Sequence, residues 1–295
     1  MAYLFEIENA REGYLNVLET LLAEGRIQES RNGRTVELED VAIQIDNPHI
    51  LMDSSVRAGY NVAIGYVEGI QLLAGISDSA FTAQVQPNFR NYMEEDTGKF
   101  WGAYGPRLVD QLPVIAERLR VDPDTRQAVM TLWDPEFDAH GGKRDHPCTN
   151  RMSFRVRDGK LNMTVDMRSN DAWWGFPYDI VQFSMLHQSM ADVLGWNVGS
   201  YVHKADSFHL YESHWDIARQ SHEFNTPSPV ASTSPVVPYL SGNSWEEIKQ
   251  RANVVYRVAS QTLPVSELET AQEKIIAETL LKTRKKHLDK TLERF

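Results

Sequence analysis

The 295-residue chain has one cysteine, no long uncharged apolar run and fewer basic than acidic residues. A single cysteine excludes an internal disulfide and any zinc site built from several thiolates. A membrane-spanning helix needs about twenty apolar residues in a row, and the sequence has no such run. The first residues lack the basic start, apolar centre and small-residue cleavage site of a secretory signal. We therefore expect a cytoplasmic protein.

The balance of charge is acidic, with 30 Lys and Arg against 41 Asp and Glu and a formal net charge of −11. A chain this negative is not expected to bind nucleic acid broadly, because the phosphate backbone repels it. A small anionic substrate is still compatible with that charge, provided that a few arginines are gathered in one pocket.

Apolar periodicity predicts helices and strands without the regular βαβ rhythm of a doubly wound sheet, which indicates an α+β fold. Helices are predicted over residues 5–24, 54–75, 106–120, 177–195 and 243–260, and a last one behind a capping box of Ser266 and Glu269. Strands are predicted over residues 35–45, 127–133 and 198–208, with a hairpin over 151–169 that turns at Asp158-Gly159. Residues 76–105 are expected to be irregular, and 225–238 to form a proline-containing loop. We expect one domain, with a core over 1–222 and a helical extension over 223–295.

The one cysteine, Cys148, lies in the sequence DHPCTN just before the predicted hairpin. A lone cysteine is most often a buried, inert small hydrophobe, and a nucleophilic role needs a neighbour that lowers the thiol pKa. The local sequence offers His146, Arg144 and Arg151 for that purpose. We expect no metal site, because no helix or strand would place three of the later histidines on one face; these are His187, His203, His209 and His214.

Residues 167–179 read MRSNDAWWGFPYD and are unusual for an ordinary strand and helix. Arg168 and Ser169 stand at the predicted end of a strand, where a guanidinium fork and a hydroxyl can hold a phosphate. Asp171, Gly175 and Asp179 follow in a turn that leads into a helix, a setting in which the backbone can approach a ligand closely.

Further along the chain, His209 and Tyr211 fall on one face of an extended segment and can donate hydrogen bonds to a sugar hydroxyl. The chain resembles the thymidylate synthase superfamily across residues 10–220. The segments that carry the resemblance, in order and in spacing, are residues 148–150, the hairpin, residues 167–179 and the pair His209 and Tyr211. Within this superfamily the chain is most similar to the cytidylate 5-hydroxymethylases, because Asp179 stands where thymidylate synthases carry an asparagine and Cys148-Thr-Asn where they usually read Cys-His. The resemblance implies a homodimer with a mixed sheet at its interface and helices around it.

The aspartate at position 179 bears on which pyrimidine base the site can hydrogen-bond. Asparagine can donate to O4 of uracil and accept from its N3–H, whereas cytosine presents an amino donor at position 4 and a bare N3 acceptor. A carboxylate accepts from that amino group, and from N3 once N3 is protonated, which is where charge develops when a thiolate adds at C6. It also repels the O4 lone pairs of uracil. Asp179 therefore favours cytosine; an aspartate that merely starts a helix is the alternative.

The resemblance also implies roles for residues along the whole chain. Cys148 attacks C6 of the pyrimidine, 5,10-methylenetetrahydrofolate supplies the one-carbon unit, and Glu68, raised in pKa by burial, manages protons and water. The alternative for Glu68 is a paired acid on an ordinary helix. The positions that match substrate-binding residues are Arg31, Arg126, Arg168, Ser169, Gly175, Asp179, His209 and Tyr211, with Arg126 reaching the site of the partner subunit. Those that match the surroundings of the folate are Trp101, Tyr104 and Asp171.

Two departures from the family pattern bear on these expectations. Family members usually have two consecutive arginines where this chain has Arg126-Gln127, and the synthases end in a short apolar tail where this chain has a charged helix and TLERF. An open site fits hydroxymethylation, in which water captures the one-carbon unit, whereas methylation requires hydride from the folate and exclusion of water. We expect C5 hydroxymethylation of CMP or dCMP. The alternatives are C5 methylation of dCMP or dUMP and a non-catalytic nucleotide-binding protein that regulates a partner or an RNA.

Overall fold

The computed structural model describes residues 2–52, 54, 56–57, 59–224 and 235–292, so most of the predicted loop over 225–238 and the end of the chain lie outside it. The strands are β1 (Tyr3–Ile7), β2 (Arg26–Ser30), β3 (Gly33–Ile45), β4 (Val129–Thr131), β5 (Thr149–Arg157), β6 (Lys160–Met167), β7 (Asn170–Asp171) and β8 (Asn197–Tyr211). The helices are α1 (Ala10–Glu24), α2 (Ala63–Ala74), α3 (Ser79–Val85), α4 (Tyr104–Leu108), α5 (Gln111–Val121), α6 (Pro135–Asp138), α7 (Phe176–Leu194), α8 (Trp215–Phe224), α9 (Trp245–Ala259) and α10 (Ala271–Leu292).

The strands form a mixed sheet in the order β1-β3-β8-β6-β5-β4, with β2 added to β3 and β7 added to β8. β8 runs antiparallel to β3 and parallel to β6, and β6 runs antiparallel to β5. Asp158 and Gly159 turn the β5–β6 hairpin at φ values of 51° and 72°, the left-handed backbone that a two-residue hairpin requires. The predicted hairpin is confirmed, and so are the other predicted strands apart from their end residues.

Helix α7 is the central helix of the fold, since almost every side chain along it is buried between the sheet and α2. Pro177 lies in its first turn, where the missing N–H costs nothing, and Gly195 ends it at a φ of 70°. Both ends agree with the predicted helix over 177–195. The neighbouring helix α2 packs closely on α7, because a Cβ added at Gly65 or Gly69 would lie 2.6 Å from side-chain atoms of α7.

Two predictions at the N-terminal end of the chain are wrong. Residues 5–7 belong to β1, which pairs parallel with β3 and has alternately exposed and half-buried residues, rather than to the first helix. The helix predicted over 54–75 begins only at Ala63, and the described residues before it form turns. Apolar residues in both segments fit the helical spacing, but the sheet edge and the packing of α2 decide their conformation.

Three predictions further along also need correction. Residues 76–105 are not wholly irregular, because they contain α3 and the start of α4. The helix predicted over 106–120 is divided between α4 and α5. The capping box of α10 consists of Thr270 and Glu273, not Ser266 and Glu269: the Thr270 hydroxyl accepts from the Glu273 N–H at 3.2 Å, and the Glu273 carboxylate accepts from the Thr270 N–H at 2.9 Å.

The C-terminal helices pack on the main body of the fold. Helix α9 contacts α2, α5 and α7, and α10 contacts α2, α3 and α9. Helix α8 runs across the boundary predicted at residue 222, and the division into core and extension stays a prediction. Among the helices that the structure describes, none combines the length and the apolar character needed to cross a membrane.

Candidate active site

A cavity of about 1240 Å³ lies beside β7, near the ends of β6 and β8. Pockets for one drug-sized ligand usually have volumes of roughly 300–1,000 Å³, so this cavity has room for more than one small molecule. The predicted site residues that line it are Arg31, Glu68, Tyr104, Cys148, Arg168, Ser169, Asp171, Gly175, Asp179, His209 and Tyr211. Residues that are far apart in sequence are thus gathered around one space.

Two predicted site residues, Trp101 and Arg126, do not line the cavity. The Trp101 indole donates to the Asp138 carboxylate at 2.9 Å, and this buried carboxylate also pairs with Arg107 at 2.6 Å. Arg126 is exposed in the loop that precedes β4. The contact of Trp101 with a folate and the contact of Arg126 with a partner subunit stay predictions.

The Cys148 thiol lies at the wall of the cavity, just before β5. Burial raises the pKa of this thiol to about 11, and the Arg168 guanidinium, with Nη2 at 3.8 Å from Sγ, opposes that rise. The group is therefore a protonated thiol at neutral pH, and its proton must leave before Sγ can act as a nucleophile.

The cation beside the thiol is not one of those predicted from the local sequence. Arg144 pairs with Glu95, and Arg151 pairs with Asp166 at 3.1 Å, so neither arginine meets Sγ. Arg168 takes this place because β5 and β6 pair, which lets its N–H donate to the Cys148 carbonyl at 2.8 Å.

Asp179, in the first turn of α7, is 6% exposed. Its Oδ2 accepts from Asn170 Nδ2 at 2.6 Å, and its Oδ1 accepts from Gln182 Nε2 at 2.8 Å. Burial raises the pKa of this carboxyl to about 7 even though both amides favour the anion. A helix-start aspartate holds backbone N–H groups, whereas this one is held by two amide side chains, so the alternative explanation does not account for its contacts.

Sequence analysis did not assign Asn170 and Gln182 as site residues. Their positions carried a signal, because Asn170 lies inside the segment 167–179 and Gln182 follows Asp179 by three residues, on the same side of a helix.

Glu68 faces the cavity from α2. Burial raises its pKa well above the ordinary value, as expected from its apolar helix, and the charges of Asp179 and Asp145 act in the same direction. Asp145 is a second acid that sequence analysis missed, although it lies only three residues before Cys148. It accepts from the Gly102 N–H at 3.0 Å, and burial raises its pKa too. The cavity therefore holds several carboxyl groups that protonate more readily than usual.

Three of the residues expected at a phosphate and a sugar, Ser169, His209 and Tyr211, lie close together on the cavity wall. Ser169 Oγ is 3.5 Å from His209 Nδ1, and the rings of His209 and Tyr211 have centroids 5.2 Å apart. Parallel pairing of β7 with β8 sets Asp171 opposite His209, which brings Ser169, just before β7, close to His209. Arg31 lies in the exposed turn between β2 and β3, at the cavity rim.

Trp173 and Trp174 surround a buried cation. The Arg57 guanidinium carbon lies 4.5 Å from the ring centroid of Trp173 and 4.9 Å from that of Trp174, and Nη1 donates to the Tyr178 hydroxyl at 2.9 Å. Asp171 holds the backbone of both tryptophans, since its carboxylate accepts their N–H groups at 2.7 and 3.2 Å. This packing explains the two consecutive tryptophans.

The four histidines that were considered as metal ligands have separate surroundings. His187 lies 2.6 Å from the Leu161 carbonyl, and His214 accepts from the Trp174 indole at 3.0 Å. Within the described part of the chain, no group of three His, Cys, Asp or Glu side chains is placed to hold a metal ion.

The sequence model for thymidylate synthase matches residues 83–233, about half of the chain. The chain belongs to the thymidylate synthase family. It is 35% identical over 231 residues to a deoxyuridylate hydroxymethyltransferase of Bacillus phage SP01, covering 71% of this chain and 59% of the phage protein. It is 30% identical over 247 residues to a protein of the same name from Pseudomonas phage M6, covering 81% and 70%. A putative thymidylate synthase of Methanothermobacter marburgensis is 28% identical over 228 residues, which are 75% of this chain and 98% of that protein.

A solved structure of thermostable thymidylate synthase A from Bacillus subtilis matches with a TM-score of 0.58 and 23% identity, over 72% of this chain and 84% of that one. At this identity the likeness establishes the fold alone. The predicted α+β thymidylate synthase fold, a single domain with a mixed sheet and surrounding helices, is confirmed. The chain spans 59% of the length of the SP01 relative, so that protein's activity does not transfer to this chain as a whole.

Proposed function

We propose that this member of the thymidylate synthase family catalyses C5 hydroxymethylation of a cytidine monophosphate, CMP or dCMP, with 5,10-methylenetetrahydrofolate and water. Family membership supports one-carbon transfer to C5 of a pyrimidine nucleotide. The names of the two phage relatives support a hydroxymethyl product. The observation that carries the choice of base is Asp179, a buried carboxylate on the wall of the cavity that contains the one thiol.

The surroundings of Asp179 leave it suited to cytosine. Each oxygen accepts one amide N–H, from Asn170 or Gln182, and a carboxylate oxygen has a second lone pair for a ligand. The 4-amino group of cytosine and a protonated N3 are two donors side by side that match this pair of acceptors. Uracil would place its O4 lone pairs against the carboxylate, which is repulsive.

The rest of the nucleotide is assigned to other residues that line the same cavity. We infer that Arg31, Arg168 and Ser169 hold the phosphate, since they combine two guanidinium groups with a hydroxyl at the rim. We assign His209 and Tyr211 to the sugar 3′-hydroxyl, to which each can donate a hydrogen bond. Gly175 belongs to the site for steric reasons: a Cβ there would lie 2.8 Å from Asn170 Nδ2 and 2.9 Å from the Asp171 carbonyl oxygen. Those residues would have to shift if position 175 carried a side chain.

In the proposed reaction, Cys148 Sγ loses its proton and adds to C6 of the base, which makes C5 a carbon nucleophile. Methylenetetrahydrofolate, when bound, supplies the one-carbon unit to C5. We assign to Glu68 the exchange of protons with the base and the orientation of water, because burial raises its pKa well above the ordinary carboxyl value and so favours the protonated form that an acid needs. The C5 proton is lost and tetrahydrofolate leaves the one-carbon unit, water then adds to that carbon and supplies the hydroxyl of the product, and departure of Sγ restores the double bond of the base and the free thiol.

We propose that aromatic residues of the cavity wall bind the folate. Phe89, Tyr92 and Phe100 line the cavity, and the Phe89 ring contacts the other two edge to face, with centroids 6.4 Å from Tyr92 and 5.9 Å from Phe100. Such surfaces suit a flat heteroaromatic ring. We assign Asp171 and Tyr104 to its surroundings. We also propose a homodimer in which Arg126 reaches the cavity of the partner subunit, since this arginine lies outside the cavity of its own chain.

A second candidate is C5 hydroxymethylation of deoxyuridylate, which the names of the two phage relatives favour. A competition experiment separates the candidates: the protein is incubated with methylenetetrahydrofolate and equal CMP, dCMP and dUMP, and the products are identified by mass. A hydroxymethylated cytosine nucleotide is expected, and its sugar decides between CMP and dCMP. Hydroxymethylated dUMP would contradict the assignment of Asp179, a methylated product would contradict capture by water, and no product would favour the binding protein.

The same mixture tests the base-reading residue directly. Asp179→Asn should shift preference from cytidylate to uridylate, because the amide donates to O4 and accepts from N3–H. Asp192→Asn on the same helix, outside the cavity, is the matched control and should keep the preference of the original protein. Unchanged cytosine preference in Asp179→Asn would overturn the argument.

A further inference from the structure

A row of polar side chains lies buried behind Asp179. Tyr201 and His203 project from β8 and are 0% exposed, and Asn170 on β7 is 3% exposed. The Tyr201 hydroxyl lies 2.6 Å from His203 Nδ1, and His203 Nε2 lies 3.0 Å from Asn170 Oδ1. Asn170 Nδ2 in turn lies 2.6 Å from Asp179 Oδ2. The four side chains form one continuous hydrogen-bonded row that ends at the carboxylate on the cavity wall.

The direction of every hydrogen bond in this row follows from its chemistry. The Asn170 carbonyl oxygen can only accept, so His203 Nε2 must carry the hydrogen. Burial lowers the pKa of His203 to about 3, which keeps the ring neutral with a single N–H. His203 Nδ1 must then accept, and the Tyr201 hydroxyl must donate. Asn170 is left with its N–H facing Asp179.

If every hydrogen bond in the row ran the other way, the Asp179 carboxyl would have to be protonated. If the Asn170 amide turned over, its oxygen would face Asp179, and two acceptors at 2.6 Å repel unless the carboxyl carries a proton. His203 would then have to accept at Nε2 and donate from Nδ1 to Tyr201. Both ends of the row therefore change together, and the tautomer of His203 is coupled to the charge of Asp179.

We propose that Tyr201, His203 and Asn170 are positioning residues that determine base specificity by holding Asp179 as a two-acceptor carboxylate. This inference rests on the proposed function for its choice of cytosine. A protonated Asp179 presents one donor and one acceptor, which is the pattern that suits uracil. Asn170 touches the carboxylate directly, whereas His203 and Tyr201 act through Asn170. Other ionisable groups also face Asp179 and influence its charge; they are Glu68 on α2, Tyr104 on α4, Asp171 on β7 and Cys148 before β5.

The first test replaces the donor at position 203. His203→Phe removes the N–H that orients Asn170, while His203→Gln supplies an amide donor in its place. We expect His203→Phe to reduce the cytidylate-to-uridylate ratio of kcat/KM about tenfold or more, since Asn170 is then no longer held with its N–H toward Asp179, and that N–H makes the hydrogen bond to the charged carboxylate. The acid limb of the pH profile should move to higher pH, because loss of a group that stabilises the anion raises the pKa of Asp179. His203→Gln should restore both properties in part.

A merely structural role for His203 would lower activity on both bases alike and leave the acid limb in place, and that result would overturn the proposal. Thermal unfolding by circular dichroism shows whether each variant folds. If His203→Phe does not fold, Tyr201→Phe serves in its place, since it frees the tautomer of His203 and keeps the ring; an unchanged ratio and acid limb in that variant would count against the proposal in the same way.

A measurement without substrate keeps this inference separate from the proposed function. Ring-nitrogen shifts by NMR report the tautomer of His203, assigned by the missing signals of His203→Gln. A hydrogen on Nε2 is expected while Asp179 is ionised, and a hydrogen on Nδ1 in that state would contradict the proposed direction of the hydrogen bonds. The coupling itself predicts that the hydrogen moves to Nδ1 when Asp179 takes up a proton, and a tautomer that stays the same would refute it whichever base the enzyme uses. Specificity for uridylate while His203 has the Nε2–H tautomer would refute the proposed base and the role of the row in its choice, but not the coupling.

Discussion

Removal of the Arg168 charge should make the Cys148 thiol measurably harder to ionise. With a pKa of about 11, only about one thiol in ten thousand is a thiolate at pH 7. At 3.8 Å from Sγ, a unit positive charge stabilises the thiolate by about 1 kcal/mol at the dielectric constant of water and by about 4 kcal/mol at an effective value of about 20. Because Arg168 is exposed, screening by water favours the lower figure, so Arg168→Gln should lower the thiolate fraction about fivefold or more.

The chain suits this measurement because it has one cysteine, so every alkylation event reports on the site. The rate of modification by iodoacetamide is followed by mass across the alkaline range for the original protein and each variant. Arg168→Lys keeps the charge and should recover most of the rate. Arg120→Gln, on the outer surface of α5, is the matched control and should leave the rate unchanged. Equal rates for Arg168→Gln and the original protein would refute the electrostatic role of Arg168, and an inflection near the ordinary thiol pKa would refute the dominance of burial.

Two further predictions concern carboxyl groups. Glu68→Gln should lower kcat by about 10²–10⁴-fold with little change in nucleotide affinity. It should also remove one limb of the plot of kcat against pH, and that limb should lie above the ordinary carboxyl range because the pKa of Glu68 is raised. An unchanged kcat would contradict a role in proton transfer. Asp138→Asn should cost about 3 kcal/mol or more in urea unfolding, since it leaves Arg107 without its buried partner, whereas Glu117→Gln in a surface pair should cost about 1 kcal/mol or less. Arg107 and neighbouring donors lower the pKa of Asp138, so its contribution is present above the unfolded pKa and is lost as the pH falls through the folded one; equal acid stability of both variants would contradict this assignment.

Local patterns predicted those parts of the fold whose cause is local. The β5–β6 hairpin follows from Asp158-Gly159 between two alternating runs, and α7 follows from Pro177 and Gly195 around an apolar segment. The first residues of the chain followed the helical spacing equally well, yet they pair with β3 as a strand. A sheet edge is formed by a distant partner, and no period in residues 5–7 reports that partner.

In the candidate site, too, residues that are neighbours in sequence were predicted, whereas contacts made by strand pairing were missed. Residues of the segment 167–179 were predicted because they stand together in the sequence, and eleven predicted residues do line one cavity. The cation beside Cys148 was missed because strand pairing, and not sequence proximity, brings Arg168 to the thiol. His203 was considered only as a metal ligand, since its contact with Asn170 depends on the pairing of β7 with β8.

The short strand β7 has a consequence for how this site can change by mutation. Its neighbouring side chains face different surroundings: Ser169, just before it, meets His209, Asn170 meets His203 and Asp179, and Asp171 binds the turn of the two tryptophans. Successive residues of a strand point to opposite sides, so a substitution at one of these positions leaves its neighbours' contacts in place. Under the proposed function, base preference can therefore change through positions 170, 179 and 203 while Ser169 and Asp171 keep their contacts. The same proposal implies that one substitution at any of these three positions can alter the choice of base without removing a residue assigned to the sugar or the phosphate.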